Sequence, residues 1–118
     1  MLKNSGISVE EKDLYTIYRL SGKFVGEEET DNLKNELELK VKTENNRIII
    51  DFSGVTYFSS IAIGILVKED TNFSEKGGMF AICNVPDFMQ NIFVLTKLTS
   101  KLNIYKTLEE AERAVIAY

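Results

Sequence analysis

The 118-residue sequence contains no histidine and a single cysteine, Cys83. Without histidine, the chain cannot build a Ser–His or Cys–His catalytic pair, and it lacks the side chain that most often transfers protons near neutral pH. One cysteine forms no disulfide within the chain, and no Cys/His spacing is present from which a zinc site could be built. We therefore predict a protein that is not an enzyme and that uses no metal or other cofactor.

Basic residues and long apolar runs are also scarce. Asp and Glu outnumber Lys and Arg by 18 to 14, and no basic run is interleaved with aromatic residues as in nucleic-acid-binding proteins. The longest apolar run, residues 61–67, is far shorter than the about 20 residues of a membrane span. Residues 1–6 do not resemble a signal sequence. These features predict a cytoplasmic protein that neither binds nucleic acid nor spans a membrane.

The organisation of the chain is uniform. Its only proline is Pro86, and it contains no repeat, low-complexity tract or Pro/Gly/Ser linker. The length suits one domain with an ordinary core. We therefore expect residues 1–118 to form a single domain.

The first part of the chain carries the pattern of a hairpin and a helix. Residues 7–20 form two β-rich stretches separated near residues 12–13, and a turn is expected at Ser21-Gly22. Apolar side chains then recur at helical spacing over residues 33–41, behind acidic side chains in residues 27–31. Negative charge suits a helix N-terminus. The acidic group is interpreted either as a solvated helix start or as a charged rim facing a basic partner.

The second part of the chain alternates strands with helices. Residues 47–51 are typical of a strand buried on both faces, as in a parallel sheet, and a loop from Phe52 to Ser60 is expected to follow. The apolar run at residues 61–67 fits a strand or a helix, but its polar continuation and an N-cap at Ser59 or Ser60 favour a helix. Later patterns predict a strand at 79–83, a helix near Pro86, a strand at 104–105 and a helix capped by Thr107. The predicted fold is α/β, in the order ββαβαβαβα, with a mixed sheet of about five strands and about four helices.

Residues 48–66 resemble the strand, loop and helix start of STAS domains. In that family the loop ends in Asp-Ser-Ser/Thr-Gly, and an apolar helix start with a second glycine follows, here Gly64. Gly77-Gly78, Pro86 and residues 95–105 are similar to the family's later strand lead-in, third helix and final strand. The resemblance covers nearly the whole chain and implies a STAS-like fold of the anti-sigma factor antagonist type.

The resemblance also implies a function in transcription regulation by partner switching. In bacterial anti-sigma factor antagonists, an anti-sigma factor serine kinase, which holds the ATP, phosphorylates the serine after the motif's Asp. Only the unphosphorylated form binds that kinase, and a serine phosphatase is a further implied partner. By position, the Asp corresponds to Ser59, the phosphoacceptor to Ser60, the next Ser/Thr to Ile61 and the glycine to Ala62, so three of the four positions differ.

Ser60 is also a reasonable phosphorylation site on physical grounds, with Ser59 as the second candidate. A phosphate in the first turn of a helix lies beside unpaired N–H groups and the positive end of the dipole, so the domain would tolerate it. It would add about −1.5 to −2 charge, which would oppose docking of a partner. The alternative interpretation is that both serines only cap the helix, which contributes about 1 kcal/mol.

Partner contacts are expected around the predicted loop and the exposed side of the following helix. The predicted contact residues are Phe52, Ser53, Tyr57, Phe58, Ser59 and Ser60. Tyr57 and Phe58 fit equally well as aromatic residues that cover the edge of the sheet. A second functional hypothesis remains open, a phosphate-independent STAS scaffold or accessory subunit of a transporter or sensor complex, because the motif is altered.

Two other residues have simpler interpretations. Asp51 could be the phosphoacceptor of a receiver domain, but the acidic pair and the lysine that a receiver needs are absent from the corresponding places. We interpret Asp51 as a carboxylate that caps the following loop. Cys83, on a predicted buried strand, is interpreted as a small core residue.

Overall fold

The sheet has five strands, and their order in space follows their order in the chain. The structure is a computed structural model and describes residues 5–118. The strands are β1 (Ser5–Glu11), β2 (Thr16–Phe24), β3 (Arg47–Phe58), β4 (Met79–Cys83) and β5 (Asn103–Tyr105). The helices are α1 (Glu28–Lys40), α2 (Ser60–Glu75), α3 (Asp87–Leu95) and α4 (Leu108–Ala117). β1 pairs antiparallel with β2, and each later pair is parallel, which confirms the predicted mixed sheet and element order.

Helices cover both faces of the sheet. Ile50 and Phe52 of β3 lie in a core shared with buried side chains of α1, α2 and α3. Ile49 faces the opposite core, where Ala111 and Val115 of α4 cover it. Because both faces are buried, the first half of β3 is an almost continuous apolar run, as the sequence predicted.

β2 and β3 are longer than the sequence predicted. The prediction of a turn at Ser21-Gly22 is wrong, because β2 continues to Phe24. Gly22 adopts a positive φ of 85° within the strand. The prediction of a loop from Phe52 to Ser60 is also wrong, because β3 remains paired with β2 as far as Phe58.

The pairing of β3 with β2 contains two irregularities. In each, β3 advances one residue further than β2 does, as in a β-bulge. As a result Phe52, Val55 and Phe58, at a spacing of three, all lie in the core on the side of α1, α2 and α3. The usual spacing of two is lost, which explains why the sequence resembled a loop.

The ends of α2 and the start of α4 were predicted correctly from local sequence signals. Ser59 is the N-cap of α2, and Gly77, with φ of 74°, follows its C-terminus. Thr107 caps α4 by accepting a hydrogen bond from the N–H of Glu110. Cys83 is fully buried between the sheet and α4, and burial raises the pKa of its thiol to about 12, which confirms its role as a core residue.

Candidate functional site

The end of β3 leads directly into α2, with only Ser59 between them. The N–H of Ser59 donates to the carbonyl oxygen of Phe24 at 2.8 Å, which fixes it to the end of β2. Its Oγ accepts a hydrogen bond from the N–H of Ala62 at 3.2 Å, and its carbonyl oxygen accepts from Ile63 at 2.9 Å. The side chain of Ser59 is therefore used to start the helix.

Ser60 is the first residue of α2, and its side chain is exposed. The first turn of α2 contains no acidic residue, so the helix supplies no carboxylate of its own to the positive end of its dipole. A negative group on the Ser60 hydroxyl would meet the unpaired N–H groups of the first turn. The structure thus separates the two serines, because Ser59 caps the helix and Ser60 faces solvent.

Exposed side chains with apolar surface lie close to Ser60 in the chain. Tyr57 is 48% exposed and Ile61 is 61% exposed. The side chain of Ile61 lies against Gly26, where an added Cβ would come within 3.1 Å of it. Val25, which precedes Gly26, is 40% exposed. We refer to Val25, Gly26, Tyr57, Ser60 and Ile61 as the Ser60 surface.

The turn between β2 and α1 is held in place by side chains of the acidic helix start. The carboxylate of Glu29 accepts a hydrogen bond from the N–H of Val25 at 2.6 Å, and the hydroxyl of Thr30 accepts one from the N–H of Gly26 at 2.9 Å. The bond from Val25 holds the pKa of Glu29 below its usual range. Glu29 therefore orders the part of the Ser60 surface that supports Ile61.

The structure divides the predicted contact residues into two groups. Ser53, Tyr57 and Ser60 are exposed and Ser59 is half-buried. Phe52 and Phe58, in contrast, are 0% and 3% exposed, which corrects the expectation that they lie in a surface loop. Their rings are 5.1 Å apart, centroid to centroid, inside the core. A partner that docks on this structure cannot touch the ring of Phe52 or of Phe58. Of the three aromatic residues predicted to contact a partner, only Tyr57 is accessible.

Gly64 is the fifth residue of α2, about one turn after Ile61, and is exposed. An added Cβ at Gly64 would meet no atom within 4 Å. Glycine inside a helix is less favourable than alanine by about 0.5–1 kcal/mol. Packing among the described residues therefore gives no reason for a glycine at this position.

Asp51, the fifth residue of β3, links this strand to Asn84, the residue that follows β4. Its Oδ1 accepts hydrogen bonds from the N–H of Ser53 at 2.9 Å and from Nδ2 of Asn84 at 3.1 Å. Asn84 has a φ of 56° where the chain leaves β4, a conformation that asparagine tolerates better than most residues. The contact with Ser53 is the local capping that the sequence predicted, although Ser53 lies in a strand and not in a loop.

Glu69 of α2 is a fully buried acidic side chain, about 14 Å along the helix from Ser60 at 1.5 Å per residue. Its Oε1 accepts a long hydrogen bond from Asn72 at 3.4 Å, and its Oε2 has no hydrogen-bond partner among residues 5–118. Burial raises the pKa of Glu69 above its ordinary value of 4.5, and the negative charge of Glu38 on α1 raises it further. The ionised form is therefore disfavoured in the folded protein.

Replacing Glu69 by glutamine should stabilise the protein at neutral pH. Because the pKa of Glu69 is raised on folding, its contribution to stability is complete below about pH 4.5 and is lost as the pH rises through the raised value. We expect Glu69→Gln to match the wild type near pH 4 and to exceed it by about 1 kcal/mol at pH 7.5. Urea unfolding at both pH values measures this, with exposed Glu75→Gln on the same helix as the control. A constant difference across the pH range would contradict the prediction.

Within residues 5–118, no helix is both long enough and apolar enough to cross a membrane. In the same part of the chain, no group of three or more His, Cys, Asp or Glu residues is arranged to hold a metal ion.

The family model of the STAS domain matches residues 6–111, and the chain belongs to the STAS domain family. A candidate anti-sigma factor antagonist from Thermotoga maritima is 30% identical to it over 70 residues. That match covers 59% of this chain and 62% of the relative, so the chain spans less than two thirds of the relative's length.

Solved structures share the fold at lower sequence identity. An anti-sigma factor antagonist from Mycobacterium paratuberculosis superposes with a TM-score of 0.81 at 23% identity, covering 94% of this chain and 93% of that chain. The Bacillus cell fate determinant SpoIIAA, in its phosphorylated form, superposes with a TM-score of 0.74 at 17% identity, covering 93% and 99%. The chain is thus a STAS domain similar to anti-sigma factor antagonists.

Of the Ser60 surface, the sequence predicted Tyr57, Ser60 and the exposed side of the helix that carries Ile61, but it gave no indication that Val25 and Gly26 belong to it. These two residues belong to the turn after β2, and only the pairing of β2 with β3 brings them to the start of α2. The available signal was Gly26 directly before the acidic helix start, which indicates a tight turn but not what packs on it.

Proposed function

We propose that this STAS domain is a protein-binding switch of the anti-sigma factor antagonist type, controlled by phosphorylation of Ser60. The observation that carries the proposal is an exposed serine at the first position of α2, followed directly by exposed Ile61, with exposed Tyr57 three residues before it in the chain. A hydroxyl in this place is accessible to a kinase, and the apolar side chains beside it offer a docking surface.

The geometry favours Ser60 over Ser59 as the phosphoacceptor. The Oγ of Ser59 already accepts the N–H of Ala62, and adding a phosphate there would disturb the start of the helix. Ser60 has no such role. The similar fold of SpoIIAA in its phosphorylated form supports the idea that a STAS domain accommodates a phosphate.

The proposed reaction transfers the γ-phosphoryl group of an ATP held by the partner kinase to Oγ of Ser60. The bond between the γ-phosphorus and the β,γ-bridging oxygen of ATP breaks as a new P–O bond forms to Oγ. The hydroxyl proton of Ser60 passes to a base of the partner kinase, and ADP remains on the partner as the leaving group. The phosphate adds about −1.5 to −2 charge next to exposed Ile61. Docking would then have to desolvate that charge against apolar side chains, so the phosphorylated form binds more weakly.

The proposed partner is an anti-sigma factor serine kinase, and a serine phosphatase resets the switch by hydrolysing the phosphate. In this scheme the STAS domain contributes no catalytic group of its own and acts in the cytoplasm. Gly64 supports the idea of a docked partner, because a glycine that packing does not require leaves room for another molecule close to the backbone of α2.

Variants of Ser60 test the proposal. Ser60→Ala should bind the kinase with nearly wild-type affinity and accept no phosphate. Ser60→Asp should bind at least tenfold more weakly, which corresponds to about 1.4 kcal/mol. Calorimetry measures the affinities, and intact mass after incubation with the kinase and ATP measures the phosphate.

Two control variants separate binding from folding. Ser74→Asp adds the same charge near the other end of α2 and should leave kinase affinity unchanged. Ser59→Ala should lower stability by about 1 kcal/mol through loss of the N-cap but should still be phosphorylated. Equal affinity of wild type, Ser60→Ala and Ser60→Asp would contradict the proposed switch.

The second candidate function is a phosphate-independent scaffold, or an accessory subunit of a transporter or sensor complex. It is favoured by Ile61 and Ala62, which replace the Ser/Thr and Gly that follow the phosphoacceptor in the family motif. The mass measurement distinguishes the two functions, because a scaffold would bind its partner without gaining a phosphate.

A further inference from the structure

α3 has apolar side chains on two of its faces. Met89 and Phe93 are 0% and 1% exposed and pack into the core. Phe88, Ile92 and Leu95, at i, i+4 and i+7, form a second apolar row, which we call the α3 stripe. Its members are exposed by 40%, 38% and 82%. A row of this kind on an exposed helix is unusual unless another molecule covers it.

The charges at the two ends of α3 are opposite. Asp87 is the only charged residue within the helix and lies at its first position, whereas Lys97 follows two residues after its last, Leu95. Both side chains are exposed. Neither forms an ion pair inside the described part of the chain, residues 5–118.

We propose that the α3 stripe is a contact between two copies of this chain, with their α3 helices antiparallel about a two-fold axis beside Ile92. In this arrangement Phe88 of one copy faces Leu95 of the other, and Ile92 meets its own counterpart. The same axis brings Asp87 of each copy opposite Lys97 of the other. Residues 87–97 are therefore complementary to themselves when reversed, as a two-fold contact requires.

This self-complementarity favours a second copy over an unrelated partner. Each copy carries a net charge of −4, so two copies repel each other at long range. The antiparallel arrangement places opposite charges together at both ends of the contact and leaves no like charges opposed along α3. The interface is small, so we expect a weak dimer, with a dissociation constant on the order of 100 µM.

The α3 stripe shares no residue with the Ser60 surface, so dimerisation can be tested without the kinase. Sedimentation velocity from about 10 µM to about 1 mM would follow the mass of the wild type, Leu95→Glu, Asp87→Lys, Lys97→Glu and the Asp87→Lys/Lys97→Glu double variant. Val94→Glu is the matched control, because Val94 is 61% exposed but lies off the stripe. Circular dichroism establishes that each variant is folded.

The expected result is a wild-type mass that rises toward that of a dimer with concentration. Leu95→Glu and each single charge reversal should weaken the dimer at least fivefold, the double reversal should restore it to within about threefold of wild type, and Val94→Glu should leave it unchanged. A wild type that stays monomeric overturns the proposal. A dimer that is insensitive to Leu95→Glu, or not restored by the double reversal, also overturns it. If the wild type is monomeric and Leu95→Glu instead weakens kinase binding, the stripe belongs to a heterologous interface and the proposal is wrong.

Discussion

Replacing Phe52 by alanine is expected to lower the free energy of unfolding by about 3–5 kcal/mol. Phe52 is fully buried, and its ring packs against Phe58, which in turn packs against Phe24. Truncation removes the buried ring and leaves a cavity where β3 crosses the core. Thermal or urea unfolding followed by circular dichroism measures the loss.

Tyr57→Ala is the matched control for Phe52→Ala. Tyr57 belongs to the same strand but is 48% exposed, so its truncation should change stability by less than about 1 kcal/mol. In a binding assay we expect the opposite pattern. Tyr57→Ala should weaken partner binding because Tyr57 lies on the Ser60 surface, whereas folded Phe52→Ala should bind as the wild type does. A stable Phe52→Ala that has lost binding to the proposed kinase partner would show that Phe52 contacts the partner directly.

Replacing Gly78 by alanine is expected to cost about 3 kcal/mol. An added Cβ would overlap the carbonyl oxygen of Asn46 and lie 2.8 Å from its Cγ. That carbonyl accepts a hydrogen bond from the N–H of Met79, so the backbone before β3 cannot shift without disturbing the start of β4. Denaturant unfolding measures the cost.

Gly64→Ala provides the opposite case for comparison. Its Cβ would meet no atom of residues 5–118 within 4 Å, so we expect the variant to be more stable than wild type by about 0.5–1 kcal/mol. A Gly78→Ala protein as stable as the wild type would mean that residues 46 and 78 are not as close in solution as in the structure.

Elements marked by strong local signals were predictable from the sequence. Ser59 before an apolar run and Gly77-Gly78 after it define both ends of α2, because capping and left-handed turns depend on a few neighbouring residues. The first half of β3 was also evident, since burial on both faces leaves a continuous apolar run. The order of these elements was enough to predict the fold.

The second half of β3 could not be predicted in the same way. Its register is set by β2, and two extra residues change the apolar spacing from two to three. Phe52 and Phe58 therefore resembled loop residues available to a partner. For the same reason the sequence did not predict that Val25 and Gly26 belong to the Ser60 surface. The contact between Gly26 and Ile61 depends on tertiary structure, and neither local sequence indicates it.

The order of the strands in the sheet, identical to their order in the chain, has a consequence for folding during synthesis. Each strand from β2 onward is added beside the strand made just before it, and none has to be inserted between two that are already paired. A chain that leaves the ribosome N-terminus first can therefore extend the sheet one strand at a time. At each stage the growing sheet has a single new edge, which the next strand to emerge covers.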